Sequence, residues 1–235
     1  MKTKIRTGIW YNIVIGFLLM LTTDCKENFN NTLITIDGDN DTNLYIGSVT
    51  IGTQVWMTKN LKSRRYRNGD KIGTTIPALL DITSELAPKY QWAYDVNELN
   101  VDTYGRLYTW YAITDPRGVC PRGWHVPADE EWNALITYLD GKLYAGGNLK
   151  ETGTSHWTTP NTGATNETDF TALPGGYRFY YGRFSDIGFS GFWWSSSESS
   201  DSSAYGRGMS SYNSQVPKLE FNKRDGLSVR CIKDN

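Results

Sequence analysis

Few side chains in this sequence have types and spacings that could support chemistry. The thiols are Cys25, Cys120 and Cys231, and the imidazoles are His125 and His156. A hydrolytic triad is recognised by geometry, and the spacing around the two histidines does not assemble one. We therefore expect both histidines to be structural or to lie at the surface, and we expect no catalytic residue.

An acidic triplet near the N-terminus has the spacing at which a calcium-binding loop begins. Asp37, Asp39 and Asp41 alternate along the chain, and carboxylate oxygens are the ligands that Ca²⁺ prefers. Thr42 stands where such a loop needs glycine, and Ser48 stands where it needs glutamate. The triplet therefore predicts an acidic turn, and we expect no metal and no cofactor.

The N-terminal residues indicate the cellular compartment. Three basic residues precede an apolar run at 9–21, which is too short to span a bilayer comfortably. This order is typical of a secretory signal, here residues 1–24, and a short anchor that is never cleaved is the alternative. Cys25 follows the apolar segment at the position where bacterial lipoproteins carry their acylated cysteine, although Asp24 is unlike the small residues that usually precede it.

Residues 25–32 are polar and without periodicity, which predicts a tether. Lys26 and Glu27 resemble the acidic tether of lipoproteins that Bacteroidota export to the outer face of the outer membrane. We therefore expect a lipoprotein of the cell envelope, exposed at the cell surface and held in the membrane through its lipid anchor only.

The overall composition indicates a single exported domain. The 24 Lys and Arg against 25 Asp and Glu give a net charge of −1, without the basic stripe that nucleic-acid binding requires. After the signal about 210 residues remain, enough for one domain with a sizeable core. The 9 Trp, 15 Tyr and 23 Gly favour a loop-rich fold packed with aromatic side chains.

Hydrophobic periodicity predicts two helices. Apolar residues at helical spacing predict the first at 102–113 and the second at 129–140, where three acidic residues complement the dipole of the first turn. Ala128 precedes the second helix without a side chain that could cap it. Two helices followed by a late antiparallel sheet place the chain in the α+β class.

Short apolar runs separated by turn residues predict strands and hairpins. The N-terminal half is expected to form strands at 33–36 and 44–51 and a hairpin across Gly52 and Thr53. In the C-terminal half, the expected pairs are 177–181 with 184–187, and 218–221 with 227–232. The serine-rich run at 195–203 is expected to be an exposed loop.

Several sequence blocks resemble the Fibrobacter succinogenes major paralogous domain family. The blocks are CPRGWHVP at 120–127, SVRC at 228–231, GGYR at 175–178, WWSS at 193–196 and IGTQVWM at 51–57. The resemblance covers residues 34–234, within a domain expected at 33–235, and is weakest between residues 63 and 89. It implies the C-type-lectin-like scaffold of formylglycine-generating enzymes, with Trp124, Trp132, Trp193 and Trp194 in the core.

The resemblance also implies a long-range disulfide between Cys120 and Cys231, with two free buried thiols or a metal-binding pair as alternatives. Formylglycine-generating enzymes hold copper with two active-site cysteines, because copper chemistry of this kind needs soft thiolate ligands. Here both domain cysteines stand at structural positions of the scaffold. The resemblance therefore implies the scaffold without the oxidase. The loops at 194–196 and 215–217 also lack the motifs of calcium-dependent sugar-binding lectins.

We expect a non-catalytic surface module that binds a glycan or a surface protein; the alternative is an enzyme of unknown reaction on the same scaffold. The expected ligand face combines aromatic and hydrogen-bonding side chains of the late turns, away from the helices. Its residues are Tyr180, Tyr181, Arg183, Glu198, Asp201, Tyr205, Arg207, Tyr212 and Asn213. The alternative for all of them is that they are solvent-exposed side chains without a binding role.

Cys25→Ala is expected to release the protein from the membrane fraction, because the lipid-bearing thiol would be the only attachment. The measurement is fractionation of cells that express the wild type or the variant, with mass spectrometry of the mature N-terminus. An unchanged distribution, or an intact signal segment in the mature chain, would show that Asp24 blocks processing.

Overall fold

The computed structural model describes residues 32–34 and 44–235 of the chain. The predicted signal at 1–24, Cys25, the tether up to residue 31 and the acidic triplet at 37–41 lie outside the described residues. No helix within the described residues is long and apolar enough to cross a membrane.

The N-terminal part of the domain consists of short antiparallel strands. Strand β1 (Thr32–Ile34) pairs with β2 (Leu44–Ile46), and β3 (Ser48–Ile51) forms a hairpin with β4 (Gln54–Met57). Gly52 in the hairpin turn has a φ of 61°, a conformation that glycine adopts without steric cost. The predicted hairpin is confirmed.

The first predicted helix is instead two short helices separated by a strand. In chain order, the elements here are β5 (Gln91–Trp92), α1 (Leu99–Tyr104), β6 (Leu107–Tyr108) and α2 (Trp110–Ile113). The single helix predicted at 102–113 is wrong, because Gly105 ends α1 with a φ of 76°. A Cβ at this position would lie 2.6 Å from the Cβ of Asn60, so the close approach also requires glycine. Strand β6 then pairs with β5.

The second predicted helix is confirmed as α3 (Asp129–Tyr138). Its apolar residues Trp132, Leu135 and Ile136 are buried, as their spacing predicts. No side chain caps the helix at Ala128, but the Glu131 carboxylate accepts a hydrogen bond from the Ala128 N–H at 2.8 Å. The helix therefore has the Glu131 hydrogen bond of a capping box but lacks the side-chain cap at its N-terminus.

Sequence reasoning missed one short element on each side of α3. Strand β7 (Trp124–His125) precedes it and helix α4 (Ala145–Leu149) follows it. The two glycines of α4 disfavour a helix, so periodicity gave no signal. They are needed for packing, because a Cβ at Gly146 would lie 2.7 Å from the Ser214 carbonyl oxygen.

The C-terminal half contains a five-stranded sheet in the order β12-β11-β10-β8-β9. Its strands are β8 (Gly175–Arg178), β9 (Phe184–Ile187), β10 (Ser190–Glu198), β11 (Ser203–Ser210) and β12 (Lys218–Asn222). The predicted hairpin of β8 and β9 is confirmed. The predicted pairing of residues 218–221 with 227–232 is wrong, since β12 pairs with β11.

The loop predicted at 195–203 is also wrong, because its first half belongs to β10. Serine composition indicated solvent exposure, but Ser195 is fully buried and its hydroxyl accepts a hydrogen bond from the Ser197 N–H at 3.1 Å. The serines of this stretch belong to β10, a strand of the core. They lie where the register between β10 and β11 shifts.

The last strand, β13 (Ile232–Lys233), lies between β4 and β7 in a four-stranded sheet. Cys231, directly before it, forms a disulfide with Cys120 across 111 residues of sequence, as predicted. A crosslink that closes so long a loop reduces the conformational entropy of the unfolded chain. The fold of the described residues is thus mixed and sheet-rich, with four short helices and this disulfide.

Tryptophans fill the core. Trp124, Trp132, Trp193 and Trp194 are all at most 1% exposed, which confirms their predicted core position. The ring of Trp132 lies 4.7 Å from that of Trp56, centroid to centroid. The indole N–H groups of Trp132, Trp193 and Trp194 find acceptors inside the core, as buried polar groups must: Trp194, for example, donates to the Tyr108 carbonyl oxygen at 2.6 Å.

A buried ion pair fastens α3 to β11. Arg207 is 3% exposed and its guanidinium donates to the carboxylate of Asp129 and, at 2.8 Å, to the side-chain oxygen of Asn133. Lys218 Nζ also donates to Asp129 at 2.8 Å and lies 3.5 Å from the ring centroid of Tyr205. Arg207 is therefore a structural residue, contrary to its predicted place on an open ligand face.

Arg207→Ala is expected to lower the free energy of unfolding by about 2 to 4 kcal/mol, because Asp129 keeps its burial but loses its principal buried partner. Urea denaturation of the variant and the wild type measures this difference. Arg183→Ala, at an exposed position, is the control and should stay within about 0.5 kcal/mol. Wild-type stability of Arg207→Ala would contradict the structural role.

Candidate functional site

The five-stranded sheet separates the predicted ligand residues into three groups, at its two ends and within β11. Strands β8 and β10 run parallel, so the turns that follow them, at 179–183 and 199–202, lie at the same end of the sheet. This end carries Tyr180, Tyr181, Arg183, Glu198 and Asp201. The segment after β11 lies at the opposite end, because β11 runs antiparallel to β10.

The nine predicted ligand residues therefore do not all lie at one end of the sheet. Tyr212 and Asn213 are exposed, but they follow β11 and stand at the far end of the sheet. Tyr205 and Arg207 lie within β11, where Lys218 covers the ring of Tyr205 and α3 holds Arg207. A ligand role for any of the nine residues remains a prediction, and five of them share one end of the sheet.

At that shared end, the buried Arg178 attaches the loop at 76–82 to the β8-β9 turn. Arg178 is fully buried, and its guanidinium donates to the Ala78 carbonyl oxygen at 2.8 and 3.1 Å and to the Leu80 carbonyl oxygen at 2.6 Å. The guanidinium lies 4.1 Å from the ring centroid of Trp92. The Ile82 N–H donates to the Tyr180 carbonyl oxygen at 3.0 Å. The loop at 76–82 is thus held against the sheet end.

Next to this loop lies a half-open groove of about 760 Å³. It is formed by chain segments at 64–78 and 91–98 together with Arg106. Its charged lining residues are Arg64, Arg65, Lys71, Arg106 and Glu98. Its apolar lining residues are Ile72, Ile76, Pro77, Ala78, Trp92, Ala93 and Val96. Four cations and one carboxylate give the groove a positive character.

The sequence reasoning missed this groove. Most of its wall comes from the stretch at 63–89, where the resemblance to the family is weakest. The basic run RRYR at 64–67 is a signal that could have found it. A backbone bridge between Arg65 and Lys71 closes a tight turn after that run and brings Lys71 beside it.

The carboxylate of the groove is already ion-paired. Glu98 accepts hydrogen bonds from the buried Arg106 and from Arg64, the latter at 2.6 Å. Arg106 also donates to the Gln91 side-chain oxygen at 2.9 Å. Burial raises the pKa of Glu98, but the hydrogen bonds from the two arginines outweigh it and the pKa is lowered. Glu98 is therefore ionised at neutral pH.

The rim of the groove is aliphatic. Ile76 is 89% exposed and Val96 is 61% exposed, and both line the groove. Leu79, on the adjacent loop, is 59% exposed. Tyr181 at the neighbouring turn is 42% exposed, with its ring stacked 4.7 Å from that of Phe179. The site can thus combine attraction for anions with burial of apolar ligand groups.

The two histidines lie elsewhere and contact carboxylates. His125 Nδ1 is 2.7 Å from the Asp234 carboxylate and its Nε2 is 2.9 Å from the Glu131 carboxylate. His156 Nδ1 is 2.9 Å from Glu151. These pairs tie neighbouring chain segments together. In the part of the chain that the structure describes, no group of three or more His, Cys, Asp or Glu could hold a metal ion.

Asp225 supports the same sheet end through buried hydrogen bonds. Its carboxylate accepts from the Tyr180 N–H at 2.9 Å and from the Asn222 N–H at 3.1 Å. Burial raises the pKa of Asp225 to about 6, although these hydrogen bonds and the charge of Arg178 oppose the rise. At neutral pH the protein therefore keeps a buried charge that opposes folding.

Asp225→Asn is expected to change the pH dependence of stability. The folded pKa of this acid lies above its unfolded value, so the wild type binds a proton more tightly when folded and gains stability as pH falls through about 6. Between about pH 7.5 and pH 4.5 the wild type should gain about 2 kcal/mol relative to the variant. Urea denaturation across that range is the measurement.

Asp201→Asn provides the control, since it removes an exposed carboxylate from the neighbouring turn. Its stability should follow that of the wild type across the pH range. If the Asp225→Asn curve also runs parallel to the wild type, the buried carboxylate does not titrate in this range.

Comparison with known proteins identifies the family. The model of the Fibrobacter succinogenes major domain matches residues 49–233, which include the disulfide, the five-stranded sheet and the groove. No curated protein and no solved structure matches the chain. The family match covers well over half of the sequence and confirms the resemblance of the sequence blocks. The chain belongs to the Fibrobacter succinogenes major domain family.

Proposed function

We propose that this protein is a non-catalytic binding module that captures a glycan or a protein partner at the surface of the cell. The observation that carries the proposal is the positively charged groove beside the β8-β9 turn, with its aliphatic rim and the exposed Tyr181. Lipid on Cys25 would hold the module at the outer membrane, and the polar tether would extend it from the surface.

The ionisable groups of the groove suit holding a ligand better than transforming it. General acid-base catalysis is most effective when the catalytic pKa lies near the working pH. Four of the five charged lining residues are arginine or lysine, and the pKa of Glu98 is lowered. Such a set attracts and orients an anionic group without exchanging protons with it.

The alternative is an enzyme of unknown reaction on a scaffold related to formylglycine-generating enzymes. Cys120 and Cys231 are bonded to each other, so neither offers the free thiolate that copper chemistry would need. A C-type-lectin-like scaffold is part of the proposal, supported by a disulfide that ties the region before α3 to the last strand. A scaffold of this kind presents loops for recognition.

The soluble fragment that starts at Lys26 tests the proposal on a glycan array and on a display library of short peptides. For a ligand found this way, Arg64→Ala and Lys71→Ala are each expected to weaken binding by about 1 to 3 kcal/mol without loss of the fold. Tyr181→Ala should weaken a ligand that extends over the turn. Arg122→Ala removes an exposed cation outside the groove lining and should bind as the wild type does.

Two outcomes would contradict the proposal. Unchanged binding by the combined Arg64→Ala and Lys71→Ala variant would place the site elsewhere. Conversion of the ligand into a product by the wild type, with loss of turnover in that same variant, would favour the enzyme.

A further inference from the structure

The rim of the groove distinguishes between classes of ligand. Its exposed side chains Ile76 and Val96 are aliphatic, and Leu79 on the adjacent loop is 59% exposed. The hydroxyl-rich surface of a sugar offers few groups that could pack against aliphatic side chains, whereas exposed apolar clusters on soluble proteins often mark surfaces for other proteins. The rim therefore favours a protein segment over a glycan.

The charge of the groove indicates what that segment carries. The turn closed by the bridge between Arg65 and Lys71 supplies cations, and the segments at 76–78 and 92–96 supply apolar surface. Side chains of an extended peptide point alternately to opposite sides. A segment of alternating acidic and aliphatic residues would direct carboxylates to the cations and apolar groups to the rim.

The Glu98 carboxylate already forms ion pairs with two cations of the groove, Arg64 and Arg106. The side chain of Glu98 is 57% exposed, and that of Arg106 is 4% exposed, so the glutamate covers a buried guanidinium from the solvent side. Arg106 keeps its hydrogen bonds to Gln91 and to the Lys62 carbonyl oxygen on its inner side. Removal of Glu98 would expose a cation that is fixed in position.

The segment that carries Glu98 has unusual backbone geometry. Asp95 and Val96 have φ values of 51° and 61°, in the left-handed region that residues other than glycine rarely adopt. For a β-branched valine this conformation is unfavourable, so a rearrangement of the segment can relieve strain. The backbone therefore offers a way for Glu98 to leave the two arginines.

We infer that the groove binds an acidic, aliphatic segment of a partner protein, and that Glu98 occupies the place of the partner's carboxylate on Arg64 and Arg106 until the partner displaces it. This inference rests on the proposed function and names its ligand class. Exchange of one carboxylate for another preserves both ion pairs, so affinity comes from the aliphatic rim and from the charge of Lys71. Glu98 then selects against ligands that offer no carboxylate of their own.

The test uses the soluble fragment and a fluorescein-labelled peptide, Glu-Leu-Glu-Val-Glu, with fluorescence anisotropy as the readout. Glu98→Gln is expected to tighten binding about tenfold, because it removes the competing charge but keeps an acceptor for Arg106. Asp102→Asn is the matched control: it removes a carboxylate of helix α1, which begins directly after Glu98, and this carboxylate does not line the groove, so binding should stay within about twofold of the wild type. Arg64→Gln should weaken binding about tenfold.

Two further probes separate the ligand classes. The neutral peptide Gln-Leu-Gln-Val-Gln should not bind, because it lacks the carboxylates that replace Glu98. Oligogalacturonate, an acidic glycan without aliphatic side chains, should bind more weakly than the acidic peptide. Tighter binding of oligogalacturonate would overturn the inference in favour of an acidic glycan and leave the proposed function intact.

The failure of the inference can be told apart from the failure of the proposed function. If Arg64→Gln weakens binding but Glu98→Gln behaves like Asp102→Asn, the groove is the site and Glu98 is no competitor. If the acidic peptide does not bind even to Glu98→Gln, an acidic protein segment is excluded as the ligand. If ligands found on the array also bind the groove variants as they bind the wild type, the proposed binding site itself is wrong.

Discussion

Buried arginines that bind backbone carbonyl groups are the constraint on which this fold depends. Arg230 is 1% exposed and donates to the side-chain oxygen of Asn60 and to the carbonyl oxygens of Met57 and Phe170. Burial lowers its pKa to about 9, so it remains charged at neutral pH. The guanidinium has five donors in a rigid plane, and each donor left without an acceptor in the core would be costly. Segments without regular secondary structure are therefore fixed by the cation between them.

Buried cations also bind backbone carbonyl oxygens where the chain forms loops. Arg178 fixes the loop beside the groove through the carbonyl oxygens of residues 78 and 80. Lys150, fully buried, donates to the carbonyl oxygens of Thr162, Ser210 and Asn213 at 2.9 to 3.0 Å, and burial lowers its pKa to about 8. Since the acceptors are main-chain atoms, the loop side chains are free to vary without loss of these bonds. Long loops can thus be rigid in a domain with little helix.

The sequence predicted those parts of the fold whose signals are local or carried by the family blocks. Helix α3, the Gly52 hairpin and the Cys120 to Cys231 disulfide were predicted correctly. The break at Gly105 was missed because a helical apolar period continues across it, and only the approach of Asn60 reveals the constraint. Ser195 was placed in a loop because composition reports average exposure, whereas its strand is buried by tertiary packing. Arg207 looked available because its partners on α3 are distant in sequence.

The groove could not be predicted for a related reason. Its cations lie in a stretch without periodicity, and they come together only because the turn at 65–71 closes and Arg178 fixes the loop that follows. The residues that build the scaffold, such as Arg178 and Cys231, stand inside the sequence blocks that resemble the family most. The residues that line the groove stand mainly where the resemblance is weakest. The groove that we propose as the binding site can therefore change its lining residues while the buried cations and the disulfide keep its loops in place, and the search for a ligand should begin there.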